Sequence, residues 1–470
     1  MTRTLGTASI VAAAFLAGGC GALEPTLPAA APAIPSEWPL PANTSTPTTG
    51  PAEAAATADI GWRDFFTDAK LEGLIARALD NNRDLRVAVL NVERARAQYR
   101  IQRADRVPSL SANATLVRTG GDAPVTDTYS ANLGITEFEL DLFGRVRNLS
   151  DAALQRYFAQ EEARRSAQLT LIAEVASVYL TLAADQGQLQ VAQSTLKTRE
   201  ENYALTRKRY EFGAVSALDL SQARTQVEAA RADAARYAGL VAQDTNALNL
   251  LVGAPVGAEL LPAAFDEPVT GIAALPAGLP SEVLLRRPDV LTAEHVLRAA
   301  NANIGAARAA FFPSITLTGT YGSVSDELSG LFDAGTGTWS FIPQVKMPIF
   351  DGGRLRANLG VATADRDIAL AQYEKAIQAG FREVADALAL TATLAEQRVA
   401  IQATVDAAAE ADRLSRARYE AGRDSYLVLL ESQRTLYLAQ QALIVTRLAE
   451  QSNRVTLYKV LGGGWKEGGP

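Results

Sequence analysis

Two periodicities take turns along this chain. Asp68 to Arg106 has helical composition, and Pro108 ends it. Ser109 to Val117 then alternates, with Leu110, Ala112, Ala114 and Leu116 on one face and Ser111, Asn113 and Thr115 on the other. Tyr129 to Phe138 alternates as well, placing Tyr129, Ala131, Leu133 and Ile135 together. Period two over about ten residues, bounded by Gly120–Gly121 and Pro124, predicts a β-hairpin over 109–138. The stretch 144–211 lacks proline and has one interior glycine, Gly187, so it predicts a single helix. At ~1.5 Å per residue that helix is a rod of roughly 100 Å, too long for one globular core. A turn over 212–216 and a returning helix to 252 follow. The same order then recurs. A helix leads into alternating strands over 313–347, with Ile315, Leu317 and Tyr321 on one face and Trp339, Phe341, Val345 and Met347 on one face. A second long helix over 354–420, a turn over 421–425 and a helix to 461 complete it.

The recurrence extends to the letters. VPSLSANA from Val107 matches FPSITLTG from Phe312, 205 residues on. RYEFGAVSAL from Arg209 matches RYEAGRDSYL from Arg418, and LVG at Leu251 matches VLG at Val460, each 209 residues on. The matches keep their order, which indicates a duplicated unit. The expected division is a signal peptide over 1–19, a Pro/Ala/Thr-rich segment over 20–58, repeat 1 over 59–252, a linker over 253–276, repeat 2 over 277–461 and a tail over 462–470.

Composition narrows the function. The 470 residues are 48% hydrophobic with a net charge of −7, so no basic excess exists to neutralise nucleic-acid phosphates. One His and one Cys leave too few soft ligands for a metal centre within one chain. No nucleophile–base–acid constellation stands out, and no cofactor is expected. Arg3, the apolar run Ile10–Leu16 and the small residues Ala17, Gly18 and Gly19 before Cys20 read as a secretory signal. LAGGC resembles the bacterial lipobox, although Ala17 stands where Leu is usual. A lipidated Cys20, carrying N-palmitoyl and S-diacylglycerol groups, is therefore expected, and Gly21 rather than Asp after it favours sorting to the outer membrane. The prolines between Glu24 and Ala58 predict a flexible tether or an extended strap.

The strands carry the remaining inference. Four amphipathic strands are too few to close a membrane barrel, which needs about eight, and an open sheet in lipid leaves edge groups unsatisfied. Several chains must contribute. Two would give eight strands and three would give twelve.

The chain resembles the TolC-like outer-membrane efflux proteins, in the lipoprotein branch typified by OprM. The resemblance rests on IGWRDFF (Ile60–Phe66), NNRDLRVA (Asn81–Ala88), ELDLFGR (Glu139–Arg145), RRPDV (Arg286–Val290), NANIGAARAAFFPSI (Asn301–Ile315), PIFDGGRLRA (Pro348–Ala357) and LYKVLGGGW (Leu457–Trp465). It implies a mixed α and β membrane protein: a homotrimer with a twelve-stranded β-barrel continuing into a twelve-helix periplasmic α-barrel, belted by an equatorial domain. It further implies a passive outer-membrane conduit, anchored in outer-membrane lipid, that pairs with a periplasmic membrane-fusion adaptor and an inner-membrane transporter of the resistance-nodulation-division type.

From the residues alone, Gly213 and Gly422 fit helix C-caps, and Ser216 and Ser425 fit N-caps. The resemblance makes these tips the adaptor-docking sites, through Arg209, Tyr210, Gly213 and Ser216 and through Arg418, Tyr419, Gly422 and Ser425. It also implies a periplasmic gate in which Asp219 bonds Tyr419 and in which Leu427 and Glu431 line the constriction. Asp424 stands where relatives carry a latch arginine, with Arg423 beside it. Leu427 and Glu431 are four apart and share a helical face, and copies of Glu431 around an axis would favour cations. A protein-secretion duct is an alternative on the same fold. A periplasmic coiled-coil scaffold lipoprotein would explain the helices but not the strands.

Overall fold

The computed structural model describes residues 23–32, 34, 35, 38, 61–265 and 281–463. Cys20 and the signal segment lie outside the described residues. The chain divides into two compact units, one built on Val89–Ala163 and Leu291–Ala376 with the N-terminal residues 23–32, the other on Arg164–Val290 and Ile377–Val460 with residues 61–88.

Helix α1 (Trp62–Phe65) is a single turn, and α2 (Ala69–Asn81) and α3 (Arg83–Ala104) follow it. The composition predicts one helix here; the structure breaks it at Asn82. That residue adopts extended backbone (φ −61°, ψ 131°). Its Oδ1 accepts from Leu85 N at 2.9 Å, capping α3, while its Nδ2 donates to Leu251 O at 2.9 Å. An Asn that caps one helix and pins another is held out of helical conformation by both bonds.

In the first unit, β1 (Leu110–Thr119), β2 (Thr126–Leu140), β3 (Ser314–Ser325) and β4 (Gly337–Lys346) form one antiparallel sheet in the order β1-β2-β3-β4. The register aligns Leu116 with Tyr129, Leu133 with Tyr321 and Tyr321 with Trp339, so one face is predominantly apolar, interrupted at one end of β3 by Ser323 and Ser325. The other face carries Ser111, Asn113, Ser130, Asn132, Thr316, Thr320, Ser340 and Gln344. In the single chain the edge strands β1 and β4 are largely exposed and the central strands β2 and β3 are mostly half-buried. A bulge between Ile135 and Phe138 puts Glu137 at φ +52° and bonds its N–H to Thr318 Oγ1 at 3.2 Å. The N-terminal residues form a strap. Helix α6 (Pro288–Ala309; helices α4 and α5 are described below) bonds them: Asn301 Nδ2 donates to Pro25 O at 2.7 Å and to Glu24 Oε1 at 3.0 Å, and Arg308 Nη1 donates to Leu23 O at 3.1 Å. Ala31 N donates to Glu374 Oε1 at 3.2 Å.

Helix α4 (Arg145–Glu211) is followed by α5 (Ala217–Val252), and α7 (Arg354–Glu420) by α8 (Tyr426–Val460). Both α4 and α7 have 67 residues. Asp141 starts α4, accepting from Val146 N at 3.1 Å and Arg147 N at 2.7 Å, so the helix begins one residue after Gly144. One window of α4 is apolar enough to cross a membrane, yet 61% of it is buried inside the fold. The reason is the core of the second unit, where Leu171, Ile172, Val175, Tyr179, Leu180 and Leu182 pack with Trp62, Phe65, Phe66 and Leu74. Phe65 stacks on Tyr458 at 3.9 Å, and the Tyr179 hydroxyl donates to Asp68, the N-cap of α2, at 2.7 Å. Arg287 ties the unit together from a buried position. It donates to Asp289 at 2.8 and 3.0 Å, to Glu383 at 2.7 Å and to Val460 O at 2.8 Å.

Candidate functional site at the helical tips

The two tips lie in the second unit and share one backbone solution. At the first, Ala214 N donates to Arg209 O at 2.8 Å and Gly213 N to Tyr210 O at 2.9 Å. At the second, Arg423 N donates to Arg418 O at 2.9 Å and Gly422 N to Tyr419 O at 3.0 Å. This paired closure of a helix end needs a left-handed residue, and Gly213 and Gly422 supply it at φ +69° and +68°. The Arg-Tyr-x-x-Gly spacing thus has a local cause: the Arg and Tyr carbonyls are the acceptors that the glycine turn reaches.

The returning helices start differently. Ser216 Oγ accepts from Asp219 N at 3.1 Å, and Asp219 Oδ2 accepts from Ser216 N at 3.0 Å, a complete capping box. Ser425 occupies the matching position with extended backbone but makes no side-chain cap bond. The residue three places on is Val428, which has nothing to return. Asp424 is committed elsewhere, taking Arg418 side-on at 2.6 and 2.9 Å. That pairing holds the Asp424 carboxyl below its ordinary range.

The expected gate residues are brought to one end, with different partners from those expected. Asp219 serves the capping box, and the Tyr419 hydroxyl is buried with no hydrogen-bond partner among the described residues, so the bond between these two is not made here. Tyr419 packs instead with Tyr426, Ala223 and Leu429, and Arg209 lies over its ring at 5.0 Å, linking the first tip to the second. Leu427 is 62% exposed, unusual for leucine, and Glu431 is exposed one turn further along α8. Glu431 pairs with Arg434 at 2.9 Å. The sequence reading missed the Arg418–Asp424 and Arg209–Tyr419 contacts. The i, i+6 spacing of Arg418 and Asp424 around a glycine turn was the available signal for the first.

A four-stranded sheet with one apolar and one polar exposed face, joined in the same chain to helices of 67 residues, is the architecture of an outer-membrane exit channel. The model of the outer membrane efflux protein family matches residues 74–254 and again 279–463. The chain is 48% identical to the antibiotic efflux pump outer membrane protein ArpC of Pseudomonas putida, over 99% of this chain and 97% of ArpC. It is 47% identical to the outer membrane protein OprJ of Pseudomonas aeruginosa, over 88% of each. The open-state structure of the Neisseria gonorrhoeae MtrE outer membrane channel superposes with a TM-score of 0.83 at 41% identity, covering 93% of this chain and 99% of MtrE. The chain belongs to the outer membrane efflux protein family. It is an outer-membrane efflux channel, a transport protein and not an enzyme, and it requires no cofactor.

Proposed function

We propose that three copies of this chain form a passive duct, the outer-membrane part of a tripartite pump whose inner-membrane member is of the resistance-nodulation-division type. One observation carries this reading. Among the described residues the sheet ends at β1 and β4 with no further strand on either side, while its apolar face suits lipid. A sheet cannot stay open in a bilayer, so neighbouring chains supply the missing edges. Three chains give a twelve-stranded barrel with the polar face lining the lumen, continuing into a twelve-helix periplasmic tunnel, with the core around Trp62 and Tyr458 in the equatorial belt. The two family matches and the equal lengths of α4 and α7 support division into the two repeats, 59–252 and 277–461. Cys20 carries the lipid anchor.

The tips around Arg209, Tyr210, Gly213 and Ser216 and around Arg418, Tyr419, Gly422 and Ser425 dock a periplasmic adaptor. Asp219, Tyr419, Leu427 and Glu431 form the gate: three exposed leucines close the axis, and three glutamates one turn away favour cations beside it. The relatives' names, which speak of antibiotics and solvents, support small apolar molecules as cargo. Planar-bilayer conductance of the detergent-extracted oligomer tests the gate. Leu427→Ala combined with Glu431→Ala is expected to raise resting conductance severalfold and weaken cation preference. Unchanged conductance would remove these residues from the constriction.

A further inference from the structure

Arg199 is a deeply buried charge at the tip end of the second unit that has no carboxylate within ion-pair distance among the described residues. It is 7% exposed. Its Nη1 donates to Gln226 O at 3.1 Å, and its guanidinium lies 5.4 Å from the Tyr437 ring centre. No carboxylate among the described residues pairs with it directly, and burial pulls its pKa down from the usual arginine value, an effect that Tyr437 and the more distant Asp233 only partly offset. The Tyr437 hydroxyl is already committed to Asp233 at 3.0 Å. The contrast with Arg287, equally buried but pairing with two carboxylates, is direct. An arginine this deep ordinarily has an anion beside it, because neutral dipoles only partly replace the water that it loses.

The guanidinium opens onto a cavity of about 170 Å³ between α4, α7 and α8. Thr195 and Thr198 line it from α4, and their hydroxyls make no hydrogen bond among the described residues. Gln433 lines it from α8, and its Nε2 is a buried donor without a partner. The remaining charges on the wall are Arg416 and Asp412, which pair at 3.4 Å, so the cavity is left with the net positive charge of Arg199. Packing does not demand an arginine there. The position 209 residues on, in the α7 helix of equal length, is Ala408, and it is buried.

We propose that this cavity binds a small inorganic anion, held by Arg199 with the Thr195 and Thr198 hydroxyls and Gln433. The space takes one halide or small oxyanion with two or three waters, at roughly 30 Å³ each. One of those waters donates to Asp412 Oδ1, which is buried and otherwise without a donor. Because its walls come from α4 on one side and from α7 and α8 on the other, the anion acts as a removable rivet between the two helical hairpins that carry the tips. The assignment stands on this chain's own geometry and does not depend on the efflux reading.

The test uses the full-length protein in detergent. Thermal midpoints are compared in sodium gluconate, chloride, bromide and phosphate at constant ionic strength, for the wild type, Arg199→Gln and Arg199→Lys. Crystals grown in bromide are measured at its absorption edge. The expected result is a midpoint that rises with halide or phosphate over gluconate in the wild type and not in Arg199→Gln, with anomalous density beside the guanidinium. A response to phosphate alone identifies the ligand as an oxyanion. Identical midpoints in all four salts would overturn the proposal. So would a map with no bromide at Arg199 and a neighbouring chain's carboxylate in its place.

Discussion

Asp244 keeps its proton to about pH 6, because burial penalises its charged form and the carboxyl of Asp185 faces it from α4. Burial also raises Asp185, where the hydrogen bond with Asp244 and the nearby charge of Arg236 both oppose the shift. The linkage sign follows. The folded chain holds this proton more tightly than the unfolded chain, whose carboxyl titrates near 3.8. Stability is therefore greatest below about pH 4 as far as this group is concerned, and it declines as pH rises to about 6. Asp244→Asn should remove that decline, equalling the wild type in thermal midpoint at pH 4 and exceeding it at pH 7.5. Nothing in the sequence announces this pair. Two aspartates 59 residues apart on separate helices look like solvated charges until the hairpin brings them together. Arg287 is the opposite case. The RRPDV motif made it conspicuous, but its role as a cross-link to Glu383 and Val460 became visible only in three dimensions.

Secondary-structure elements were the most legible level, wherever the cause is local. Alternation and the absence of proline depend on neighbouring residues, and the strands and both 67-residue helices stand on those signals. The break at Asn82 was illegible because one of its two causes, the Leu251 carbonyl, is 169 residues away. The tips show the same divide within a few residues. Glycine and serine spacing predicts two identical hairpins, yet only Ser216 closes a capping box. Ser216→Ala should cost about 1 kcal/mol. Amide hydrogen exchange over Ala217–Leu220 should accelerate about fivefold, while Ser425→Ala leaves Tyr426–Leu429 nearly unchanged. Equal acceleration at both tips would mean that the two serines cap alike.

For the whole molecule the controlling facts are the two-faced sheet and its edges, which no further strand covers among the described residues. Phe341 sits on the apolar face opposite Gly319, and Gln344 sits on the polar face opposite Thr316. A lysine on the lipid side of a barrel costs roughly 2–4 kcal/mol at mid-membrane, and one in the lumen costs little. On the proposed barrel, Phe341→Lys should therefore deplete the oligomer from outer-membrane fractions on an unheated denaturing gel, and Gln344→Lys should leave its amount unchanged. Similar losses in both would reverse or abolish the assignment of faces.

The strap along α6 has a consequence for where the membrane lies. Arg308 holds Leu23 near the end of that helix, six residues before β3 begins at Ser314. Three peptide steps separate Leu23 from Cys20, a reach of roughly 11 Å at most. With an acyl chain on Cys20, the protein carries its own waterline. On the proposed lipidation, that mooring would set the depth of immersion at the foot of β3 independently of the proposed joining of strands from neighbouring chains.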